Sequence, residues 1–247
     1  MQDDILYGRN PVLEALEANH PIDKIFLQDG LRHTQIGKIR NLAKERGIRY
    51  QMTDKRKLDQ LTEGENHQGV VIFCAAHRYC ALEDILKAAE AKGEAPFVVL
   101  CDGITDPHNL GSIIRTANAA GAHGVIIPKN RSAALNATVS KVSAGAVEHM
   151  LVSKVSNLGQ AIEKLKKAGL WIAGTDLSAP QTHWESDLKG PIGIVIGSEG
   201  EGISRIVRNA CDFLVKIPMI GEIESLNASV AAGVLLYEAV RQRISEK

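Results

Sequence analysis

Three segments in the second half of the sequence contain polar residues whose types suit ligand binding or proton transfer. The first, D-P-H-N-L-G-S-I-I-R-T-A-N-A-A-G, runs from Asp106 to Gly121. Its apolar residues recur at helical spacing, so a helix is predicted to begin near Asn109 and to direct Arg115 away from the core. Asn109 is then a ligand-binding residue or an ordinary helix N-cap, and Arg115 is a functional cation or a surface charge. His108 has no neighbours at metal-ligand spacing, so no metal site is predicted.

The second segment, I-G-I-V-I-G-S-E-G-E-G-I-S, runs from Ile192 to Ser204 and is rich in glycine. Gly197, Gly200 and Gly202 would let the backbone bend tightly and approach a ligand closely. The spacing matches neither the dinucleotide-binding pattern nor the lysine-bearing phosphate loop, and Glu199 would repel a phosphate. The segment therefore predicts a binding turn for some other ligand, with a plain strand-to-helix turn as the alternative.

The third segment runs from Ile217 to Glu238 and leads into the last predicted helix. Ser225, Asn227 or Ser229 could cap this helix, because each has a side-chain oxygen that can accept a hydrogen bond from a free backbone N–H. An apolar stripe along Val230 to Val240 follows at helical spacing.

These segments belong to a region in which short apolar strands alternate with helical patterns. Such alternation predicts an α/β fold with a mostly parallel sheet, and ligands bind such sheets beyond the carboxyl ends of the strands. All three segments follow a predicted strand. The predicted strands are Phe97–Cys101, Val125–Ile127, Met150–Val152, Trp171–Ala173, Ile192–Ile196 and Phe213–Ile217.

The first part of the chain predicts a separate small α/β domain. Gly47 is expected just after the end of its second helix, since glycine readily adopts the left-handed backbone found there. A polar, alanine-rich helical stretch then separates the two regions, so we predict domains at 1–77 and 95–247 joined by a linker at 78–94. The predicted elements of the first domain are helices Pro11–Ala18, Gln35–Arg46 and Lys55–Gln60, and strands Ile22–Leu27, Ile48–Met52 and Val70–Cys74.

Composition restricts the class of protein. The 247 residues are 45% hydrophobic and 23% charged, and no apolar run approaches the ~20 residues of a membrane span. The acidic start does not resemble a secretory signal, so a cytoplasmic, soluble protein is expected. Four cysteines occur without any C-x-x-C pair, which predicts neither a zinc ribbon nor a redox motif.

Charge is balanced over the whole chain, with 29 basic and 29 acidic residues, but it is uneven locally. Between Leu31 and Lys57, nine basic residues stand against Glu45 and Asp54, which gives 9 − 2 = +7 for that segment. This surface is a candidate for phosphate binding, with a solvated helix face as the alternative. The basic residues are Arg32, Lys38, Arg40, Lys44, Arg46, Arg49, Lys55, Arg56 and Lys57.

In this order, the three segments resemble the signature motifs of the SpoU or TrmH branch of the SPOUT RNA methyltransferases. The likeness covers about 150 residues, Ala95 to Arg243. Two further motifs, Y-G-R-N-P-V-L-E-A-L from Tyr7 and H-Q-G-V-V from His67, are similar to the L30e-like substrate-binding domain of the bacterial 23S ribosomal RNA guanosine-2'-O-methyltransferase group.

The resemblance implies S-adenosylmethionine as the methyl donor and a ribose 2'-hydroxyl of RNA, most specifically of a guanosine in 23S ribosomal RNA, as the acceptor. It also implies a C-terminal trefoil knot and a homodimer formed through the knotted region, each site being completed across the interface. The implied cofactor contacts are Gly174, Thr175, Gly197, Ile217 and Leu226.

The resemblance implies catalytic roles for Asn109, Arg115, Glu199, Ser225 and Asn227. Family proposals make the residue at Arg115 a base or its partner, but a guanidinium normally stays protonated. Stabilising the developing alkoxide or binding a neighbouring phosphate fits its chemistry better, with the other four residues positioning the reactants. The implied RNA-binding residues are Arg9, Arg32, Lys38, Arg40, Lys44 and Arg46.

Three alternatives remain at this point. A transfer-RNA 2'-O-methyltransferase of the same superfamily would share the motifs, but such enzymes typically carry short basic helical extensions rather than a separate small domain. A methylase acting elsewhere on ribosomal RNA would share both domains. A non-catalytic L30e-like RNA-binding protein is disfavoured, because all five residues with implied catalytic roles are present.

Overall fold

The computed structural model describes residues 5–18, 20–31, 33–74 and 79–244. The chain divides into two compact units, one formed by Met1–Arg78 with Ala134–Ala137 and the other by Tyr79–Ala133 with Thr138–Lys247. Within the described residues, no helix is both long enough and apolar enough to cross a membrane.

The first unit is a four-stranded sheet with helices on both faces. The sheet order is β1-β4-β2-β3, in which β2 and β3 are parallel and the other pairs antiparallel. The elements are β1 (Ile5–Tyr7), α1 (Arg9–Glu17), β2 (Ile22–Gln28), α2 (Thr34–Glu45), β3 (Tyr50–Thr53), α3 (Lys55–Leu61) and β4 (Val70–Cys74).

The burial of the middle of β2 explains why Ile25–Leu27 is a continuous apolar run. Ile25 and Leu27 pack with α1 and α2, whereas Phe26 packs with Leu58 of α3. Because successive side chains of a strand point to opposite faces, a strand covered on both faces is apolar throughout. Gly47 follows α2 with a φ of 63°, as the sequence predicts.

The second unit contains a seven-stranded sheet of order β7-β6-β5-β10-β8-β11-β9, and every recorded pairing in it is parallel. Its strands are β5 (Phe97–Cys101), β6 (Gly124–Pro128), β7 (Val152–Val155), β8 (Trp171–Thr175), β9 (Gln181–Thr182), β10 (Ile192–Ile196) and β11 (Phe213–Lys216). The predicted α/β class with a mostly parallel sheet is confirmed.

The helices of this unit are α4 (Leu82–Lys92), α5 (Pro107–Ala119), α6 (Ala137–Val142), α7 (Leu158–Lys167), α8 (Arg205–Ala210) and α9 (Ala228–Ile244), with a 3-10 turn at Ala146–Glu148. The stretch that the sequence indicates as a linker contains α4. This helix buries Leu82 and Ile85 in the core of the second unit, together with Val98 and Ile126.

One predicted strand lies elsewhere than expected. The sequence places it at Met150–Val152, whereas β7 runs from Val152 to Val155 and pairs Ser153 with Ile126 of β6. The prediction was wrong because it followed the apolar run. An outer strand of a sheet accepts polar residues such as Ser153 and Lys154, which break that run.

The carboxyl-terminal end of α9 is attached to the rest of the second unit by polar contacts. Glu238 accepts hydrogen bonds from Arg241 at 2.7 and 2.8 Å and from Gln242 at 2.8 Å. Gln242 also accepts from the Leu188 N–H at 2.8 Å, and Arg243 donates to the Gly190 carbonyl at 2.6 Å. The hydrogen bonds from Arg241 outweigh the opposing effect of partial burial and lower the pKa of Glu238 to about 2.

Glu238→Gln is expected to reduce the free energy of unfolding at neutral pH by about 1.5 to 3 kcal/mol, the usual contribution of a hydrogen bond to a charged group. A lowered pKa stabilises the fold above the ordinary value of 4.5, and this contribution is lost as the pH falls toward 2. Urea unfolding of the variant and the wild-type protein should therefore converge as the pH is lowered. A difference that stays constant with pH, or an equal loss in the exposed control Glu163→Gln, would contradict this account.

Candidate functional site

A cleft of about 260 Å³ lies at the carboxyl edge of the large sheet. It is formed where β8, β10 and β11 end and where α9 begins, which is the region that parallel α/β sheets use for ligands. Its volume is close to the lower end of the about 300 to 1,000 Å³ typical of small-molecule sites. The lining residues are Thr175–Leu177, Ile196–Ile203, Val215–Ile217, Met219, Ser225, Leu226, Ala228 and Ala231.

The glycine-rich turn after β10 is closed by its own backbone. Ser198 and Gly202 exchange two N–H to carbonyl hydrogen bonds, each of 3.0 Å. A Cβ atom on Gly197 would lie 2.3 Å from the carbonyl carbon of Gly202 and 2.5 Å from the Ile203 nitrogen. Gly197 is therefore required for packing of the turn against itself, and the backbone of the turn forms one wall of the cleft.

Four of the five residues with implied cofactor contacts line the cleft, namely Thr175, Gly197, Ile217 and Leu226. The Thr175 hydroxyl also accepts a hydrogen bond from the Gly197 N–H at 3.4 Å, which links the end of β8 to the glycine turn. Gly174 is not among the lining residues. It is buried, and a Cβ atom there would lie 2.7 Å from the Cys211 sulfur.

Asn109, Glu199 and Asn227 form a hydrogen-bonded network between three segments. The Asn109 amide donates to Glu199 Oε1 at 3.0 Å, and the Asn227 amide donates to Asn109 Oδ1 at 2.9 Å and to Glu199 Oε1. The Ala228 N–H also donates to Glu199 Oε1 at 3.4 Å. One carboxylate oxygen thus links the glycine turn, the start of α5 and the start of α9.

The position at which α5 begins explains why the Asn109 side-chain amide is available to bond to Glu199. The sequence predicts that α5 begins near Asn109, but it begins at Pro107, with the Asp106 side chain accepting from the His108 N–H at 2.9 Å. The helix thus begins two residues earlier, and the alternative that Asn109 is its N-cap was wrong, because proline suits the first helical turn and aspartate is a strong cap. The Asn109 side chain is therefore not used as a cap and bonds to Glu199 instead.

Asn227 does cap its helix, as one of the sequence alternatives proposes. Its Oδ1 accepts hydrogen bonds from the Ser229 N–H at 3.0 Å, the Ser229 hydroxyl at 2.6 Å and the Val230 N–H at 3.3 Å. The amide nitrogen of the same side chain donates to Asn109 and Glu199. Ser225 lines the cleft.

Arg115 lies apart from this network. It is exposed on α5, does not line the cleft, and makes no hydrogen bond or ion pair with any residue that the structure describes. It follows Asn109 by six positions, which is about 240° around a helix of 3.6 residues per turn. Within one chain, Arg115 and Asn109 therefore point in different directions.

Asp176, which the sequence analysis did not single out, provides a carboxylate in the cleft. It forms an ion pair with Arg208 at 2.6 Å and accepts hydrogen bonds from the Ser178 N–H at 2.7 Å and the Ser178 hydroxyl at 2.6 Å. Burial alone would raise the pKa of Asp176, but these partners outweigh it and hold the pKa below its ordinary value. Its position directly after the buried strand β8 was the available sequence signal.

The candidate RNA-binding cations of the first unit differ in how they are engaged. Arg46 donates to the Leu16 and His20 carbonyls at 2.8 and 2.9 Å, so its guanidinium joins parts of the fold. Lys38 forms an exposed ion pair with Glu17 at 2.6 Å. The Arg9 side chain donates to the Gln68 carbonyl at 2.9 Å.

Arg40 and Lys44 are the candidates that remain available. Both are exposed on α2, one helical turn apart, and neither has a hydrogen-bond or ion-pair partner among the described residues. Arg32 lies outside the residues that the structure describes.

Two family models match parts of the chain. Residues 96–237 match the model of the SpoU rRNA Methylase family, and residues 5–80 match the model for RNA 2'-O ribose methyltransferase substrate binding. A Bacillus subtilis (strain 168) protein assigned to the TrmH family of tRNA/rRNA methyltransferases is 47% identical over 242 residues, which are 98% of this chain and 97% of that protein.

Two solved structures are similar over much of the chain. The SpoU methyltransferase AviRb from Streptomyces viridochromogenes, in complex with the cofactor AdoMet, has a TM-score of 0.62 and 29% identity, covering 98% of this chain and 90% of that one. A TrmH/SpoU tRNA modifying enzyme from A. aeolicus has a TM-score of 0.57 and 32% identity, covering 67% of this chain and 85% of that one.

Gly197→Ala is expected to destabilise the protein by about 1 to 3 kcal/mol, the usual cost of inserting a methyl group where there is no room. Gly200→Ala is the matched control, because a Cβ atom there meets nothing within 4 Å and the backbone does not have a positive φ. Urea unfolding should show a lower free energy of unfolding for Gly197→Ala and a change within about 0.5 kcal/mol for Gly200→Ala. Equal stability of the two variants would mean that the turn is not packed as described.

Proposed function

Since the chain belongs to the SpoU/TrmH family of RNA methyltransferases, we propose that it transfers a methyl group from S-adenosylmethionine to a ribose 2'-hydroxyl of a guanosine in 23S ribosomal RNA. The proposal rests chiefly on the hydrogen-bonded network of Asn109, Glu199 and Asn227 beside the cleft. It joins all three segments that resemble the family motifs. The substrate-binding match over residues 5–80 supports RNA as the acceptor.

The cleft fits the proposed cofactor. Gly197 leaves the turn backbone uncovered by a side chain, while Leu177, Met219 and Leu226 provide apolar walls. When bound, S-adenosylmethionine supplies a methyl group on a positively charged sulfur. The ionised carboxylate of Asp176 suits both that positive charge and the hydroxyls of a sugar.

Methyl transfer to a hydroxyl requires alignment of the oxygen and loss of its proton. The hydrogen bonds that Glu199 accepts from Asn109, Asn227 and Ala228 hold the three segments in a fixed arrangement, so we assign positioning roles to Asn109, Glu199 and Asn227. Ser225 lines the cleft and adds a hydroxyl there. Arg115, a permanent cation, is proposed to stabilise the developing alkoxide or bind the adjacent phosphate.

We further propose that the protein is a homodimer in which Arg115 completes the site of the partner chain. Exposure of Arg115, and its separation from the Asn109 network within one chain, support this assignment. Val230 and Tyr237 of α9 are 51% and 52% exposed, which provides apolar surface for a self-complementary contact. The trefoil knot that the family resemblance implies is part of the same proposal.

We propose that the first unit holds the RNA, chiefly through the exposed pair Arg40 and Lys44. Exposed cations bind the backbone phosphates of RNA, and the affinity of this binding falls as the salt concentration rises. Arg9, Lys38 and Arg46 contribute less directly, because each already donates to an acceptor within the unit. Arg32 stays a sequence-based candidate.

Transfer RNA is the alternative acceptor. The similarity to the A. aeolicus tRNA modifying enzyme favours it, and the family name of the Bacillus subtilis relative covers both tRNA and rRNA. Against it, the match to the tRNA modifying enzyme covers 67% of this chain. A separate substrate-binding region at residues 5–80 supports ribosomal RNA as the first choice.

Labelled methyl transfer from S-adenosylmethionine to purified 23S, 16S and transfer RNA tests the function. We expect label in 23S RNA at one ribose, located by resistance of the adjacent bond to alkaline cleavage. Gly197→Ala is expected to reduce incorporation, whereas Glu163→Gln, at an exposed position of α7 outside the cleft, is not. Label in transfer RNA would select the alternative acceptor, and failure of the wild-type protein to label any of the three, or ribosomal precursors, would refute methyl transfer.

Arg115→Lys is expected to lose most turnover while retaining affinity for S-adenosylmethionine, because an ammonium does not reproduce the two-pronged geometry of a guanidinium.

Co-expression of Arg115→Lys with Gly197→Ala shows whether Arg115 acts in the site of its own chain or in the site of the partner chain. If it acts across the dimer, a mixed dimer retains one intact site, so random pairing restores about a quarter of wild-type activity.

If Arg115 acts within its own chain, the mixed dimer has no intact site and activity stays at the level of the single variants. Differently tagged chains, isolated by two affinity steps, are needed to verify that mixed dimers form. Near-normal turnover of Arg115→Lys would remove this residue from the mechanism.

A further inference from the structure

The stretch from 107 to 147 contains Arg115, Lys129, Arg131 and Lys141 but no aspartate or glutamate. This acid-free segment stands out in a chain that has 29 acidic and 29 basic residues in total. All four cations are exposed. The segment therefore gives the second unit a cationic surface that the neutral net charge conceals.

Lys129 and Arg131 lie at the same edge of the sheet as the cleft. They follow β6, which is two strands from β10 in a sheet whose strands are parallel. Neighbouring strands are about 4.8 Å apart, so the ends of β6 and β10 are separated by about 10 Å. The Ala133 N–H donates to the Ile104 carbonyl at 2.8 Å, which connects the loop after β6 with the loop that leads to Asn109.

Lys141 approaches the same region from α6. A Cβ atom on Gly111 of α5 would lie 2.9 Å from Val142 Cβ and 3.1 Å from the Val139 carbonyl oxygen, so α6 packs directly against α5. Lys141 is exposed beside this contact. Lys129 and Arg131 thus lie just beyond the end of β6, and Lys141 lies on a helix that packs against the first turns of α5.

A second, polar cleft of about 270 Å³ extends this surface to β7. Lys129, Lys154 and Lys164 line it, together with Ser153 and Ser156. Its one acidic lining residue, Glu83, forms an ion pair with Lys164 at 3.1 Å. The cleft therefore favours an anion of modest size, such as a phosphate group.

The chemistry of the surface favours nucleic acid over a protein or a membrane. Every large apolar residue that is exposed in the described chain lies outside 107–147. Protein interfaces are depleted of lysine and centred on buried apolar groups, and membrane-bound surfaces insert apolar side chains. A surface of fixed cations and small polar groups instead suits phosphodiesters.

We propose that Lys129, Arg131 and Lys141 bind the RNA backbone beside the nucleotide that is methylated, with the lysine-lined cleft accepting one of its phosphates. This inference rests on the proposed function and adds an RNA-binding surface on the catalytic unit. RNA is then held at two surfaces, α2 of the first unit and the acid-free segment of the second.

The test measures binding of purified 23S RNA as a function of salt for Lys129→Ala, Arg131→Gly and Lys141→Ala. Each loss of a phosphate contact is expected to reduce the slope of log affinity against log salt by about 1. The KM for RNA should rise, while the KM for S-adenosylmethionine and the stability should not change. Lys167→Ala is the matched control, since this exposed lysine ends α7 at the opposite edge of the sheet.

Arg131→Gly separates charge from backbone conformation. Arg131 has a φ of 53°, which glycine adopts more readily than arginine, so the variant removes the cation without straining the loop. Arg131→Lys should retain most of the salt slope. If the three variants behave like Lys167→Ala in slope and in KM for RNA, or if they change sedimentation rather than RNA binding, the inference is wrong.

This outcome can be distinguished from failure of the proposed function. Normal methyl transfer by the wild-type protein with unchanged slopes in the variants would overturn the RNA surface alone. Reduced slopes in the variants, without methyl transfer by the wild-type protein to any RNA, would overturn the proposed function and leave the surface supported.

Discussion

The Glu199 carboxylate is the contact on which the arrangement of the site depends. One of its oxygens accepts hydrogen bonds from Asn109 and from two adjacent residues at the start of α9, the Asn227 side chain and the Ala228 backbone. Each such bond contributes modestly to stability, on the order of 1 kcal/mol, when it is near solvent. These bonds matter chiefly because they fix positions. The parallel sheet brings the ends of β5 and β10 side by side, and the Glu199 carboxylate then holds the loops that follow these two strands.

The second constraint is the close packing of backbone against backbone in the glycine-rich turn after β10. Gly197 has no room for a side chain, and the hydrogen bonds between Ser198 and Gly202 hold the turn in that shape. A wall made of main chain is rigid and presents N–H and carbonyl groups whose positions do not depend on rotamers. Such a wall suits recognition of a ligand by backbone contacts, with Thr175 and Asp176 adding side-chain groups at the end of β8.

Sequence periodicity was sufficient for the inner strands of the large sheet, because a strand covered on both faces is an apolar run. It failed for β7, whose paired residues Ser153 and Lys154 are polar. The start of α5 was misplaced because Asn109 and Asp106 are both good caps, and Pro107 decides between them. Side-chain partners distant in sequence have no periodic signature, so a charge count could not distinguish Arg46, which is bonded to carbonyls, from a free surface cation.

The neutral net charge has a physical consequence once the charges are placed. At an ionic strength of 0.15 M, screening limits electrostatic attraction to about 8 Å, so a polyanion responds to local surfaces rather than to the total charge. The cleft carries Asp176, Glu199 and Glu201, which disfavour phosphate within it, whereas Lys129 and Arg131 lie outside it on the same sheet edge. Under the proposed function, this separation places the RNA backbone along the edge of the sheet and leaves the cleft to a ligand whose reactive centre is not anionic, such as a sulfonium. If the cleft and the neighbouring sheet edge were both basic, they would bind RNA in many positions. With an acidic cleft beside a basic edge, the favoured position is the one in which a ribose faces the cleft.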